Sequence, residues 1–127
     1  MKIEIRVIPA RRQRYSTVGD WFFSPDCRTL KVRVSQMIDR RSEIGVIVHE
    51  LVEALACEQA GISASRVDGF DFGFSGEGEP GDAPNAPYHA QHVLATKIEQ
   101  IVVEALGLSE KEHDRIVEEA DAQRPGK

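Results

Sequence analysis

The sequence predicts an α+β fold, in which a small antiparallel sheet precedes two packed helices and a peripheral C-terminal helix. Three observations support this class. Apolar and charged residues alternate over residues 2–8 and 29–35, as in half-buried strands. Two longer segments, 39–60 and 87–106, carry apolar residues at helical spacing. All predicted strands precede all predicted helices along the chain, which is the order typical of α+β proteins.

The predicted sheet occupies residues 1–36 and consists of one strand plus a hairpin. "KIEIRVI" is the first strand, and Pro9 ends it because proline cannot donate to a ladder. "GDWFF" and "TLKVRVS" flank the sequence Ser-Pro-Asp at 24–26, which is typical of a turn. In the last strand, Leu30, Val32 and Val34 are predicted to face one way, and Lys31 and Arg33 the other.

The helix over 39–60 is predicted to end at Gly61, and the second helix, over 87–106, at Gly107. The C-terminal helix, over 109–122, begins with the Ser-x-x-Glu pattern of a capping box. The intervening segment 62–87 is rich in Gly, Pro and Asp and is predicted to be a long loop. Alternating phenylalanines within it indicate a short strand or a docked lip: Phe70, Phe72 and Phe74.

The composition is that of one globular domain spanning residues 1–127. The chain has 41% hydrophobic and 29% charged residues, and its two cysteines make no disulfide framework. No apolar run approaches the roughly 20 residues of a membrane span, and the first residues lack the apolar segment of a signal peptide. We therefore expect a cytoplasmic protein without membrane contact.

The charge distribution gives limited support to nucleic-acid binding. Residues 1–41 contain ten Lys/Arg and four Asp/Glu, whereas the remainder contains six and seventeen. A basic segment can contact nucleic acid. However, several of its cations alternate with apolar residues, as on the solvated face of a sheet. We expect nucleic acid not to be the partner.

The stretch "VIVHELVEALACEQAG", residues 46–61, places polar residues of metal-site type within an apolar helix. His49 and Glu53 are four residues apart and lie on one helix face, where both could ligate one metal ion. Glu50 is rotated by about 100° from His49. It could stand beside the ion and take a proton from its bound water, as a general base.

Helical periodicity predicts which faces of the two long helices enter the core. On the first helix the predicted core stripe is Ile44, Ile47, Val48, Leu51, Val52 and Leu55. On the second helix it is Leu94, Ile98, Ile101, Val102 and Ala105. His49 and Glu53 face away from the first stripe, among small residues that favour the close approach of another helix.

The second helix offers a third metal ligand. His92 is predicted to point between the helices, and His89 is its rival for that position. Glu99 could be a fourth ligand or a carboxylate that orients an imidazole. Cys57 could also ligate, although a small buried apolar role suits it better. His113, in the charged C-terminal helix, is expected to be solvated.

"VHELVEAL", set between a small sheet and a second ligand-bearing helix, resembles the zincin-like metallopeptidases. It is also similar to small phage and bacterial proteins that carry "HELVEAL" and a later "APYHxQH". The resemblance covers about residues 28–104 and implies a bound divalent metal, His49 as ligand and Glu50 as general base. Glu53 departs from the family pattern, which has a second histidine there. A carboxylate ligand keeps zinc as the first expectation but also suits Mn or Fe.

The sequence thus predicts a metal-dependent hydrolase of peptide or amide bonds, with His49, Glu53 and His92 as ligands and Glu50 as catalytic base. A peptide or protein would be its substrate. Two alternatives stay open. One is a non-catalytic phage or bacterial module in which the His/Glu cluster is structural. The other is a nucleic-acid-associated factor that uses the basic strands.

Overall fold

The computed structural model describes residues 1–123 and contains three strands and four helices. The strands are β1 (Lys2–Ile8), β2 (Gly19–Phe23) and β3 (Thr29–Ser35). The helices are α1 (Arg40–Gln59), α2 (Ala64–Gly73), α3 (His89–Ala105) and α4 (Glu110–Asp121). Short 3₁₀ turns lie at Ala10–Arg12 and Pro80–Asp82. The α+β class is confirmed, and each predicted helix agrees with an observed one to within two residues.

The sheet is mixed, so the predicted wholly antiparallel arrangement is wrong. Its strand order is β1-β3-β2. β2 and β3 form the predicted antiparallel hairpin, in which Trp21 pairs with Val32. β1 lies on the other side of β3 and runs parallel to it, with Ile5 opposite Val32. Alternating apolar residues indicate which face of a strand is buried but carry no information about its direction.

Strand β3 is the centre of the main core, and its predicted facing is confirmed. Leu30, Val32 and Val34 are fully buried. Helix α1 packs across β2 and β3. Cys57 is also fully buried and lies in this core cluster rather than among polar residues.

No residue of the predicted core stripes of the long helices is fully buried, although Ile47 and Leu51 pack against the main core. Leu55 is 41% exposed on α1, and Leu94 and Ile101 are 47% and 66% exposed on α3. The helices instead meet through small residues: a Cβ at Gly45 would lie 2.5 Å from Val103 Cγ1. This contact turns the His/Glu face of α1 inward, where its polar groups bind one another and so avoid the cost of unpaired burial.

The predicted loop contains helix α2, which includes Phe70 and Phe72, so the expectation of a short strand at the phenylalanines is wrong. The Ser63 hydroxyl caps this helix by accepting a hydrogen bond from Arg66 N at 3.2 Å. Val67 and Asp71, four residues apart, share its buried face. Gly69 and Gly73 weaken the helical signal in the sequence, because glycine is a poor helix former.

The helix termini carry the predicted caps. Gly61 and Gly107 follow α1 and α3 with φ of +73° and +88°, a conformation that glycine adopts without a steric penalty. Ser109 caps α4 by accepting a hydrogen bond from Glu112 N. Among the helices of residues 1–123, none has both the length and the apolarity to cross a bilayer.

Candidate metal centre

Three buried side chains from two helices converge on one point. His49 and Glu53 come from α1 and His92 from α3, and each is about 5% exposed. His49 Nε2 lies 3.1 Å from Glu53 Oε2, and His92 Nδ1 lies 2.9 Å from the same oxygen. The two imidazole centroids are 4.8 Å apart. The structure therefore brings together the three side chains that the sequence proposed as ligands.

The chemistry of this donor set and two of its separations match those around a small divalent cation. Two ligands about 2.0 Å from a tetrahedral ion are about 3.3 Å apart, close to the 2.9 and 3.1 Å between these donors. Two imidazoles and one carboxylate leave a coordination position open, as in catalytic zinc sites. The same set also binds Fe(II). His49, Glu53 and His92 are thus the residues that would hold the metal.

Trp21, on strand β2, fixes the orientation of Glu53. Its indole Nε1 donates a 3.0 Å hydrogen bond to Glu53 Oε1. The other carboxylate oxygen, Oε2, then faces the two histidines. A carboxylate held in this way presents one defined ligand atom, which is what a second layer of hydrogen bonds does in metal sites. No local pattern in the sequence predicts this role of Trp21, which lies 32 residues from Glu53 along the chain.

The electrostatics of the cluster favour positive charge at its centre. Burial opposes the charge on Glu53, but hydrogen bonds from His49 and His92 outweigh it and lower the Glu53 pKa to about 2. Burial also opposes the charged form of His92, yet contacts with Glu53 and Glu79 raise its pKa to about 10. Burial also opposes the charged form of His49, but Glu53 and Glu99 outweigh it and raise the pKa of His49 well above its ordinary value. Without a metal, protons on the imidazoles supply the cationic charge.

Glu50 lies beside this cluster and is 7% exposed. Its Oε2 is 3.8 Å from His49 Nε2. Burial and the negative charge of Glu53 raise its pKa well above the ordinary glutamate value. The carboxyl fits beneath strand β2 only because residue 19 is glycine: a Cβ there would lie 2.9 Å from Glu50 Cδ. A buried carboxylate with a raised pKa is able to accept a proton near neutral pH.

A second layer of side chains stands behind His49. Glu99 Oε1 lies 2.8 Å from His49 Nδ1, although this contact is not aligned as a hydrogen bond. Glu99 Oε2 makes a short contact with His113 Nε2, and His113 Nδ1 lies 2.9 Å from the Ser42 hydroxyl. Such carboxylate–imidazole pairs orient metal ligands. The structure places Glu99 in this orienting position rather than among the three converging ligands.

The expectation that His113 is solvated is wrong, since it is 1% exposed. It shares the buried stripe of α4 with Ile116 and Ala120, at spacings of three and seven residues. That helical periodicity was present in the sequence and could have identified the histidine as buried. The contact with Ser42, 71 residues away along the chain, was not foreseeable from it.

Acidic residues near the 3₁₀ turn contact the other side of His92. Its Nε2 lies 3.0 Å from Asp82 Oδ1 and 3.3 Å from Glu79 Oε2. These two carboxylates and His92 form a second group with ligand chemistry. Their side chains are more than half exposed, however, unlike the buried Glu53. The buried group is therefore the better candidate for a metal site, and Asp82 is positioned to orient His92.

His89 does not join the cluster. Its Nδ1 donates to the Gly81 carbonyl oxygen at 2.9 Å, so it holds the turn that carries Asp82. Gly81 is needed at this place, since a Cβ there would lie 2.4 Å from the His92 ring. Within residues 1–123, the groups with metal-ligand chemistry include His92 but neither His89 nor Cys57.

The cluster lines a cavity of about 60 Å³, bounded also by Gly19, Glu50 and Tyr88. A larger groove of about 650 Å³ shares with it Tyr15, Asp71, Glu79 and Glu99 as lining residues. Asp71 stands where they meet and accepts hydrogen bonds from Tyr15 and Tyr88. Burial raises the pKa of Asp71 to about 6, in spite of these two hydrogen bonds.

Comparison with known proteins gives no further guide to this centre. No family model, no curated protein and no solved structure matches the chain. The assignment of the centre therefore rests on the chemistry of its own side chains.

Proposed function

We propose that this protein is a metal-dependent hydrolase of peptide or amide bonds, with His49, Glu53 and His92 holding the metal and Glu50 as general base. One observation supports this above the others. Glu50, buried and with a raised pKa, lines the same small cavity as the three converging ligands. A purely structural metal site has no need of such a carboxylate, because its coordination is closed by protein ligands.

A divalent metal held by His49, Glu53 and His92 would supply Lewis acidity at this position. The Glu50 carboxylate accepts the proton that the attacking water loses, and returns it to the leaving nitrogen. His49 and His92 must be neutral to bind a metal through the nitrogens that face Glu53. Asp82 then accepts a hydrogen bond from the remaining ring N–H of His92, and the Glu99 carboxylate lies 2.8 Å from the remaining ring nitrogen of His49.

Zinc is our first assignment for the metal, with Mn and Fe as the alternatives. Nitrogen donors predominate in the cluster, and the site is small and buried, which suits zinc at about 2.0–2.1 Å from each ligand. The Glu53 carboxylate adds a hard oxygen donor, which Mn and Fe also accept.

The adjoining groove provides room for a short peptide. Acidic side chains line much of it, and no lysine or arginine of residues 1–123 does so. Its carboxylates are Asp71, Glu79, Asp82, Glu99, Asp114, Glu118 and Asp121. A negatively lined cleft concentrates cationic substrates. We therefore propose peptides with lysine or arginine near the cleaved bond as the favoured class.

The first test is metal analysis of protein purified without a histidine tag, followed by hydrolysis of a fluorescent peptide pool. We expect about one bound metal per chain after zinc addition and higher thermal stability than in the chelator-treated protein. Glu50→Gln should retain the metal and lose hydrolysis. Glu58→Gln, on the exposed side of the same helix, is the matched control and should retain both. Absence of metal uptake would refute the proposal.

The second candidate function is a non-catalytic module in which the cluster is structural. Contacts among Ser42, His113, Glu99 and His49 join three helices, so the cluster can hold the helices together without any reaction. Two results together would favour this candidate. Metal binding would raise the thermal stability of the protein, and the protein loaded with zinc, manganese or iron would not hydrolyse the peptide pool.

The nucleic-acid alternative has weaker support. Arg14, Arg33 and Arg41 of the basic segment are already paired with carboxylates of this chain. Binding to mixed DNA and RNA that weakens with added salt would favour it.

A further inference from the structure

Strand β1 is an edge of the sheet, and half of its backbone groups point outward. Lys2 N donates to Arg28 O at 3.0 Å, and Ile8 O accepts from Gln36 N at 2.8 Å. Both contacts are directed toward β3. In a parallel pair of strands, every second residue directs both its N–H and its C=O to the neighbouring strand. The even-numbered residues of β1 are therefore those that bond to β3. The N–H and C=O groups of Ile3, Ile5 and Val7 are directed to the open edge.

The same three residues form an apolar row that this chain leaves half covered. Ile3, Ile5 and Val7 are 45%, 44% and 39% exposed. They pair in register with Leu30, Val32 and Val34, which are fully buried. The contrast arises because α1 packs across β2 and β3. An apolar row beside a row of outward backbone groups is a template for another strand.

We propose that β1 pairs antiparallel with β1 of a second copy of this chain, about a two-fold axis at Ile5. Ile5 then faces Ile5 of the second copy, and Ile3 faces Val7. All of these residues direct their backbone groups outward, so the pairing forms six backbone hydrogen bonds. The two sheets become one of six strands, and the apolar rows cover each other on the face that carries α1.

Charge complementarity selects this register and this occupant. The pairing sets Glu4 opposite Arg6 of the second copy, and Arg6 opposite Glu4 of the second copy. Both are pairs without backbone hydrogen bonds, in which side chains come closest. The contacts that Glu4 already makes, with Arg33 at 2.7 Å and Arg6 at 3.5 Å, both use Oε1. In the proposed dimer, Glu4 Oε2 is the oxygen that accepts from the guanidinium of Arg6 of the second copy.

Other registers lose these contacts. A register shift by one residue places outward-directed groups opposite groups that are already bonded to β3. A shift by two residues moves the axis to Glu4 or Arg6 and sets that residue opposite its own copy, so like charges meet. An axis at Val7 sets Ile5 opposite Pro9, which has no N–H to donate. An axis at Ile3 sets Glu4 opposite Lys2 but pairs only residues 1–5, so the outward-directed groups of Val7 stay unpaired. Only the axis at Ile5 pairs all three outward-directed residues and also sets opposite charges across the interface.

The test is analytical ultracentrifugation of the full chain and three variants. Wild type should dimerise, and Arg6→Glu should weaken the dimer at least about tenfold, because carboxylates then oppose each other across the axis. The double exchange Glu4→Arg with Arg6→Glu should restore it. Lys97→Glu, an equal charge change at an exposed position of helix α3, is the control and should leave the dimer intact.

Amide hydrogen exchange provides a second measurement if a variant folds poorly. The amides of Ile3, Ile5 and Val7 in wild-type protein should exchange more slowly as protein concentration rises. A wild-type chain that stays monomeric at about 100 μM would overturn the proposal, since specific homodimers bind far more tightly than that. So would a dimer that is unaffected by Arg6→Glu, or one that the double exchange does not restore.

Discussion

Trp21 Nε1 lies 3.0 Å from Glu53 Oε1, so a strand of the sheet holds the carboxylate that joins the two helical histidines. Trp21→Phe removes this donor but keeps an aromatic ring in the core. We expect the affinity for zinc to fall about 10- to 100-fold, the range found when an orienting partner of a ligand is lost. Competition with a chromophoric chelator measures it. Phe23→Leu perturbs the neighbouring ring without touching Glu53, and an equal loss of affinity there would contradict the prediction.

Gly19 determines where the Glu50 carboxyl can lie. Gly19→Ala would place a Cβ 2.8 Å from Val46 Cγ1 and 2.9 Å from Glu50 Cδ, so the carboxyl must move. We expect hydrolysis of the peptide pool to fall at least about tenfold while metal content is retained, since a displaced base is poorly aligned with its proton. Gly69→Ala, where nothing lies within 4 Å of the added Cβ, is the control and should not lower hydrolysis.

The acid stability of the metal-free protein should depend on Glu99. Burial opposes its charge, but contacts with His113 and His49 outweigh burial and lower its pKa from 4.5 to about 2. A group whose pKa is lower in the folded state stabilises the protein above its unfolded-state pKa and loses that contribution as the pH falls. We therefore expect the free energy of unfolding to decrease between pH 4.5 and 2.

Urea unfolding at several pH values, with a chelator present, tests the role of Glu99. Glu99→Gln should be less stable than wild type at pH 7 and should show a smaller decrease between pH 4.5 and 2. Glu104→Gln, on an exposed position of the same helix, should follow the wild-type curve. A Glu99→Gln curve parallel to wild type would show that the acid sensitivity arises elsewhere.

His113 should contribute to both stability and metal binding, although it lies outside the metal cluster. His113→Ala leaves buried Glu99 without one of its partners, and loss of a partner from a buried charged pair costs about 3 kcal/mol or more. Zinc affinity should fall about tenfold because Glu99 no longer orients His49 firmly. Chemical unfolding and chelator competition measure the two effects. Lys111→Ala, exposed on the same helix, should change stability by less than about 0.5 kcal/mol.

The sequence was informative wherever the structure is set by neighbours along the chain. The i, i+4 spacing that brings His49 to Glu53 follows from helix geometry alone. The ends of α1 and α3 follow from Gly61 and Gly107, and the facing of β3 follows from strict alternation. These features depend on local backbone geometry, which a few consecutive residues determine.

The sequence was misleading about which helix faces are buried. Hydrophobic periodicity assumes that apolar residues are inside, and on that basis Ile101 was assigned to the core, yet it is 66% exposed. His49 and Glu53 are buried because partners from other elements satisfy them. Glu53 and His92 are 39 residues apart along the chain, so nothing in the local pattern reveals that they meet.

The sequence by itself determined the strands, the helix ends and the side-by-side placement of His49 and Glu53 on α1. The tertiary structure decided the direction of β1, the burial of His113 and the convergence of His92 and Trp21 on Glu53. The physical reason is the cost of burying charge. A buried carboxylate is tolerated only with partners in place, and these partners come from β2 and α3, which only the folded chain brings together.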